Sequence, residues 1–140
     1  MHLYFVPEAL RAGLSADVPY SPAFAGQVCF ETAGIIVPEG GLETQIKAAL
    51  RKAQSVVEAG EYTMNDVVRA EIWVVNMNGD TSLLNRLYLE FLDEVGVQFN
   101  LDAGIVYPAR QAIGVSSLPH ALALVEVVFK VAVSQNATLD

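Results

Sequence analysis

An arginine followed at two-residue steps by alanine, glycine and serine outlines an anion site. In "PARQAIGVSS" the period of an extended strand puts Arg110, Ala112, Gly114 and Ser116 on one side and Ile113 and Val115 on the other. Arg110 is one of only 8 basic residues in 140. A guanidinium standing over two residues of almost no volume lies beside a hollow, where it could hold a carboxylate by two parallel hydrogen bonds. A second group could complete such a site. In "ALVEVVFKVAV" Glu126 alternates with apolar neighbours, and a half-buried carboxylate there could orient or deprotonate a water. If the two strands are neighbours, the plainer reading is a cross-strand Arg110–Glu126 pair that satisfies two charges. Alternation alone leaves both readings open. It also leaves open whether Asn85, amid the apolar residues of "TSLLNRLYLEF", is exposed or reaches a site, and whether Tyr20 in "VPYSPA" is a core ring or a pocket wall.

The rest of the chain excludes several chemistries. Two histidines, His2 and His120, cannot support a Ser-His-Asp triad, and His120 reads as a loop residue after "SLP". With Cys29 the single cysteine, no intrachain disulfide can form, and a zinc or iron site is not expected. "EGGLE" has paired glycines before a helix but lacks the rest of a phosphate loop or dinucleotide fingerprint. A formal net charge of −8 argues against nucleic acid and anionic lipid as partners. No apolar run reaches the roughly 18 residues of a spanning helix, and no signal peptide is recognised, so a cytoplasmic protein without membrane contact is expected.

Two helices and three strands must position these residues. Residues 42–59 place Leu42, Ile46, Ala49, Leu50, Ala53, Val56 and Val57 on one face, with Gly60 as the stop. Residues 81–94 carry a second stripe, Leu83, Leu84, Leu87, Tyr88, Phe91 and Leu92, with Asp80 as the expected N-cap. Strands are expected at 67–77, 110–116 and 123–133. Each has one apolar face, fit for the helices, and one face mixing charges with Trp73, Leu124, Val128 and Ala132. Arg110 and Glu126 are assigned to that mixed face. Hydrophobic residues make up 53 % of the chain and charged ones only 17 %, against about 25 % charged in average domains. The mixed face is therefore expected to be half-buried between copies. Without repeat or linker, residues 1–140 read as one α+β domain with its helices on one side of the sheet.

The order of motifs is similar to that of a known family. "PYSPA", a strand ending in "ETAG", a long helix, "MNDVVRAEIWVVNM", "NRLYLEFL", "PARQAIGV" and "LPHALALVEVVFKVAV" follow one another between about Tyr20 and Val133. The chain resembles the Rid (reactive intermediate deaminase, YjgF-like) family, of RidA type. That resemblance implies a chorismate-mutase-like fold, with a mixed sheet of about six strands and two helices on one face. It also implies a homotrimer with clefts between subunits. The activity it implies is hydrolysis of enamine or imine carboxylates, 2-iminobutanoate among them, to 2-keto acids and ammonia without cofactor or metal. It assigns the carboxylate clamp to Arg110, water positioning to Glu126, a pocket tyrosine to Tyr20 and a helix asparagine to Asn85. Ala33 and Gly34 fall on the strand-end pocket positions. Ala33 stands where many members have serine, Ala112 where they have cysteine and Gly114 where they have an acid, and the 95–107 segment is longer and apolar. These departures imply a reshaped pocket, for another substrate such as 2-aminomuconate, or a trimer that binds a metabolite without turnover. Ribonuclease activity, attached to some relatives, fits poorly with the negative charge and the missing histidine pair.

Overall fold

Strict alternation of small or branched apolar residues with polar ones makes residues 67–75 the organising strand. The computed structural model describes residues 3–5, 15–20, 23–25 and 27–132. Strand β1 (Leu3–Phe5) pairs antiparallel with β2 (Ala23–Ala25) as a separate two-stranded ribbon. Strand β3 (Val28–Glu31), helix α1 (Leu42–Ala59), strand β4 (Val67–Val75), helix α2 (Ser82–Glu94), strand β5 (Ala109–Val115) and strand β6 (Val125–Ala132) follow. Among the described residues the main sheet has four strands in the order β3-β6-β4-β5, with β1 and β2 apart from it, so they do not form one sheet of about six. It is mixed: β6 runs antiparallel to both β3 and β4, whereas β4 and β5 are parallel. A parallel pair needs a crossover, and α2 supplies it. No helix among the described residues is long and apolar enough to cross a membrane.

Both helices lie on one face of this sheet, as the periodicity requires. Ile46, Leu50, Ala53 and Val57 of α1 and Leu84, Leu87, Phe91 and Leu92 of α2 are buried with Ile72 of β4 and Val125, Val127, Phe129 and Val131 of β6. The Phe91 and Phe129 rings stack 6.2 Å apart. Glu43 of α1 pairs with Arg86 of α2, and Arg51 of α1 with Glu94 of α2. Eight residues separate the partners on each helix, about 12 Å of rise, so the helices run parallel. These exposed pairs fix direction more than they add stability.

Helix α1 spans the expected residues, and its stop has a packing cause. A Cβ on Gly60 would lie 2.6 Å from the Phe30 ring. Asp80 acts one position before the expected place. Thr81 is the N-cap, and the backbone N–H of Ser82 donates to Asp80 Oδ1 at 3.0 Å. Strand β4 stops at Val75 rather than residue 77, because Asn76 and Asn78 turn into the left-handed region at φ 55° and 53°. Residue 133 of the expected last strand lies outside the described residues. His120 is a loop residue, as expected; its Nδ1 accepts from the backbone of Leu122.

One buried polar group escaped the periodic reading. Gln45 is 1 % exposed. It donates to the carbonyls of Gly40 and Leu122, both at 3.0 Å, and accepts from the N–H of Leu124 at 2.8 Å. It ties the start of α1 to the chain entering β6. Gln45→Leu strands three backbone groups at once, so a loss of about 2 kcal/mol is expected in urea unfolding.

Candidate functional site

Arg110 is the second residue of β5, an edge strand, and its surroundings follow from the parallel register. Arg110, Ala112 and Gly114 lie beside Ala70, Ile72 and Val74 of β4, which are core residues. Arg110 therefore stands on the helix face of the sheet. Its Cζ lies 5.4 Å from the ring centroids of both Tyr20 and Tyr88. Tyr88 comes from α2, one turn beyond Asn85. The two rings face a cation whose Nε and Nη1 are buried without a hydrogen-bond partner among the described residues. Burial lowers the Arg110 pKa, and the two tyrosines oppose that shift. Asn85 donates through Nδ2 to Thr81 Oγ1, while its Oδ1 is buried and has no partner among the described residues. Asn85 lies one turn before Tyr88 on α2, so the two share a helix face, and Tyr88 of that face meets Arg110.

Glu126 stands elsewhere. It is in register with Trp73 of β4, one residue out of phase with the positions beside Arg110. The assignment of Arg110 and Glu126 to one mixed face is corrected: they occupy opposite faces, with β4 between their strands. No Arg110–Glu126 pair forms within the chain. The cause is that β5 has two weakly polar faces, and alternation could not tell which one the helices cover. Ile113 and Val115 lie on the mixed face, in register with Trp73 and Val75. The expected hollow is bordered by Met77, whose Cβ would lie 3.5 Å from a Cβ built on Gly114.

A bulge builds the Glu126 environment. Thr32 bonds to Phe129 through its N–H and its side chain, and Ile35 bridges Val127 in both directions. Three residues on this strand extension are spanned by two on β6, so Ala33 and Gly34 bulge outward. A Cβ on Gly34 would lie 2.6 Å from Glu126 Oε1. Glycine is required there for close approach: the carboxylate rests on bare backbone. Of the expected site residues, the structure brings Arg110, Tyr20 and Asn85 near Tyr88 on one face, with Ala112 next along β5. It brings Glu126, Gly34 and Ala33 together on the other. Tyr88 was read only as part of an apolar stripe; its i, i+3 spacing from Asn85 was the signal that both share one helix face. Among the described residues no three His, Cys, Asp or Glu side chains converge to hold a metal.

Comparison with known proteins now bears on this geometry. The Endoribonuclease L-PSP family model matches residues 18–133. The chain belongs to this family, the YjgF/Rid proteins. The RutC family protein PH0854 of Pyrococcus horikoshii is 28 % identical over 109 residues, covering 72 % of this chain and 77 % of that protein. Among solved structures, the Rid protein YyfB of Yersinia pestis superposes with a TM-score of 0.68 at 20 % identity, over 94 % of this chain and 98 % of that one. E. coli TdcF with bound serine gives 0.62 at 20 % identity, over 86 % and 97 %. These structures share the fold.

The face carrying Glu126 also holds a charge network. Glu71 Oε1 accepts from Lys130 Nζ at 2.8 Å and Arg69 Nε at 3.1 Å. The Lys130 ammonium, with Arg69, holds the Glu71 carboxyl below its ordinary pKa against the opposing effect of burial. A depressed carboxylate contributes stability that is full above its unfolded pKa and is lost as pH falls through the folded one. Glu71→Gln is therefore expected to be less stable than wild type near pH 6, with the gap closing toward about pH 3. Thermal unfolding across that range reads the effect.

Proposed function

We propose that this Rid-family chain is a cofactor-independent hydrolase of small imine or enamine carboxylates, and that it works as a homotrimer with its sites between copies. The observation that carries the reading is a half-buried guanidinium with two buried, unpartnered nitrogens, walled by Tyr20 and Tyr88, the latter one helix turn beyond an Asn85 whose oxygen is also unpartnered among the described residues. A buried cation without an anion is costly, and a ligand carboxylate supplies the missing acceptors. The unpaired Asn85 Oδ1 suits an N–H donor on the same ligand. The serine held by TdcF, a small amino carboxylate, is in keeping with this class.

Glu126 points away from Arg110 in its own chain, so the water-handling group comes from a second copy. The uncovered face of the sheet supports such an assembly. It carries the half-buried Trp73, Ile113 and Val115, too apolar for a free sheet surface. In the reaction, Arg110 holds the substrate carboxylate. Water, oriented by Glu126 of the neighbouring copy, adds through oxygen to the imine carbon. The imine enters protonated at nitrogen, so passage of water's proton to Glu126 leaves a neutral carbinolamine, and Glu126 then returns that proton to the nitrogen. The carbinolamine then collapses to the 2-keto acid, and nitrogen leaves as ammonia. An enamine enters the same path by protonation at carbon.

The family's ribonuclease name has less support in this chain. A net charge of −8 opposes a phosphate backbone. One observation favours a second reading, a trimer that binds a metabolite without turnover: Ala33 and Ala112 offer no hydroxyl or thiol beside the site. Hydrolysis of 2-iminobutanoate generated in situ separates the two readings. Wild type should accelerate it, Arg110→Ala should lose about 100-fold in kcat/KM, and Glu126→Gln should lose about 100-fold in kcat at little changed KM. Stabilisation by a 2-keto acid with no turnover, over several substrate side chains including 2-aminomuconate, would instead select the binding protein.

A further inference from the structure

The long segment before β5 has a consequence for the Arg110 site. Asn100 and Ile105 bridge in both directions across a turn, and Phe99 packs its ring 5.2 Å from that of Tyr107. Tyr107, 9 % exposed, lies three residues before Arg110. Its hydroxyl donates to the carbonyl of Ala16 at 3.0 Å. Among the described residues this is the one hydrogen bond joining residues 15–20 to the body of the fold. Four residues on from Ala16, the Tyr20 ring lies over Arg110. The run from Ala16 begins in a turn, the N–H of Val18 donating to the carbonyl of Ser15 at 3.2 Å. Pro19, buried, then fixes its own φ just before Tyr20. Behind the strap lies an open cleft bordered by Ala16, Asp93, Phe99 and Tyr107, so packing does not back its whole length.

We infer that Tyr107 is a positioning residue: by holding Ala16, it sets Tyr20 as the outer wall of the Arg110 carboxylate site. The inference rests on the carboxylate-binding reading above and adds that the 95–107 segment tunes it. The Tyr107 hydroxyl suits the task. Burial, with Asp17 and Asp93 nearby, raises its pKa and keeps it a donor.

The test uses the full chain, 2-oxobutanoate as probe, and the variants Tyr107→Phe, Tyr20→Ala and their double. Tyr107→Phe keeps the ring against Phe99 and removes only the donor. It should weaken 2-oxobutanoate binding about three- to tenfold, and raise KM rather than lower kcat wherever turnover is measurable. In the Tyr20→Ala background the same change should have no further effect on binding, whereas a merely structural role would lower affinity in both backgrounds. Hydrogen exchange of residues 15–20 should quicken in Tyr107→Phe with or without probe. Unchanged exchange there, or equal loss of affinity in both backgrounds, overturns the inference. Failure of wild type to bind any carboxylate overturns the Arg110 reading instead, and the exchange result still decides the strap.

Discussion

Arg110 lies in register with Ala70, and Glu126 lies in register with Trp73, three positions along the same strand. An odd offset on a pleated strand puts two side chains on opposite faces. Everything else in the site is arranged around that separation. The helix face supplies Tyr88 and Asn85 to Arg110, and the bulge at Ala33–Gly34 supplies an open backbone to Glu126. No rotamer change within one chain can bring the two charges together through a sheet. A site that uses both has to be built from two molecules.

Burial of the cation shapes the chemistry on the helix face. Guanidinium groups are more weakly hydrated than ammonium groups and stack on aromatic faces, which is how Arg110 tolerates its place between two tyrosines. Those rings give attraction without satisfying a single N–H. The site is thereby left ready for an acceptor that the described residues do not provide to Arg110 Nε and Nη1. Tyr88 is fixed by the core and Tyr20 by a strap, so one wall is rigid and the other depends on the 95–107 segment. The opposite face is held differently, by a carboxylate shared between Lys130 and Arg69.

Much of this was legible in the residues. Helical spacing gave α1 to the residue, and alternation placed β4 and β6 with their apolar faces toward the helices. The motif order gave the family, and the Tyr20 ring does lie over Arg110. The face of Arg110 was not legible. An edge strand with small residues on one side and Ile113 and Val115 on the other has no amphipathic signal, and only the register with β4 decides it. Gln45 escaped because a polar residue on a helix shoulder looks solvent-facing until its three backbone partners are known. Tyr107 escaped because its partner is a carbonyl 91 residues away. Tertiary hydrogen bonds of that kind leave no local pattern.

The central claim is that each site takes Arg110 from one copy and Glu126 from another. Mixing Arg110→Ala with Glu126→Gln, dissociating and reassociating them, and assaying imine hydrolysis tests it directly. Either variant alone should keep only about a hundredth of wild-type activity. Random reassortment of a cyclic trimer should restore one intact site in every mixed assembly, roughly a quarter of wild-type activity for equal parts. Mixed assemblies that form, as seen by native mass spectrometry, yet stay as inactive as the separate variants would contradict it.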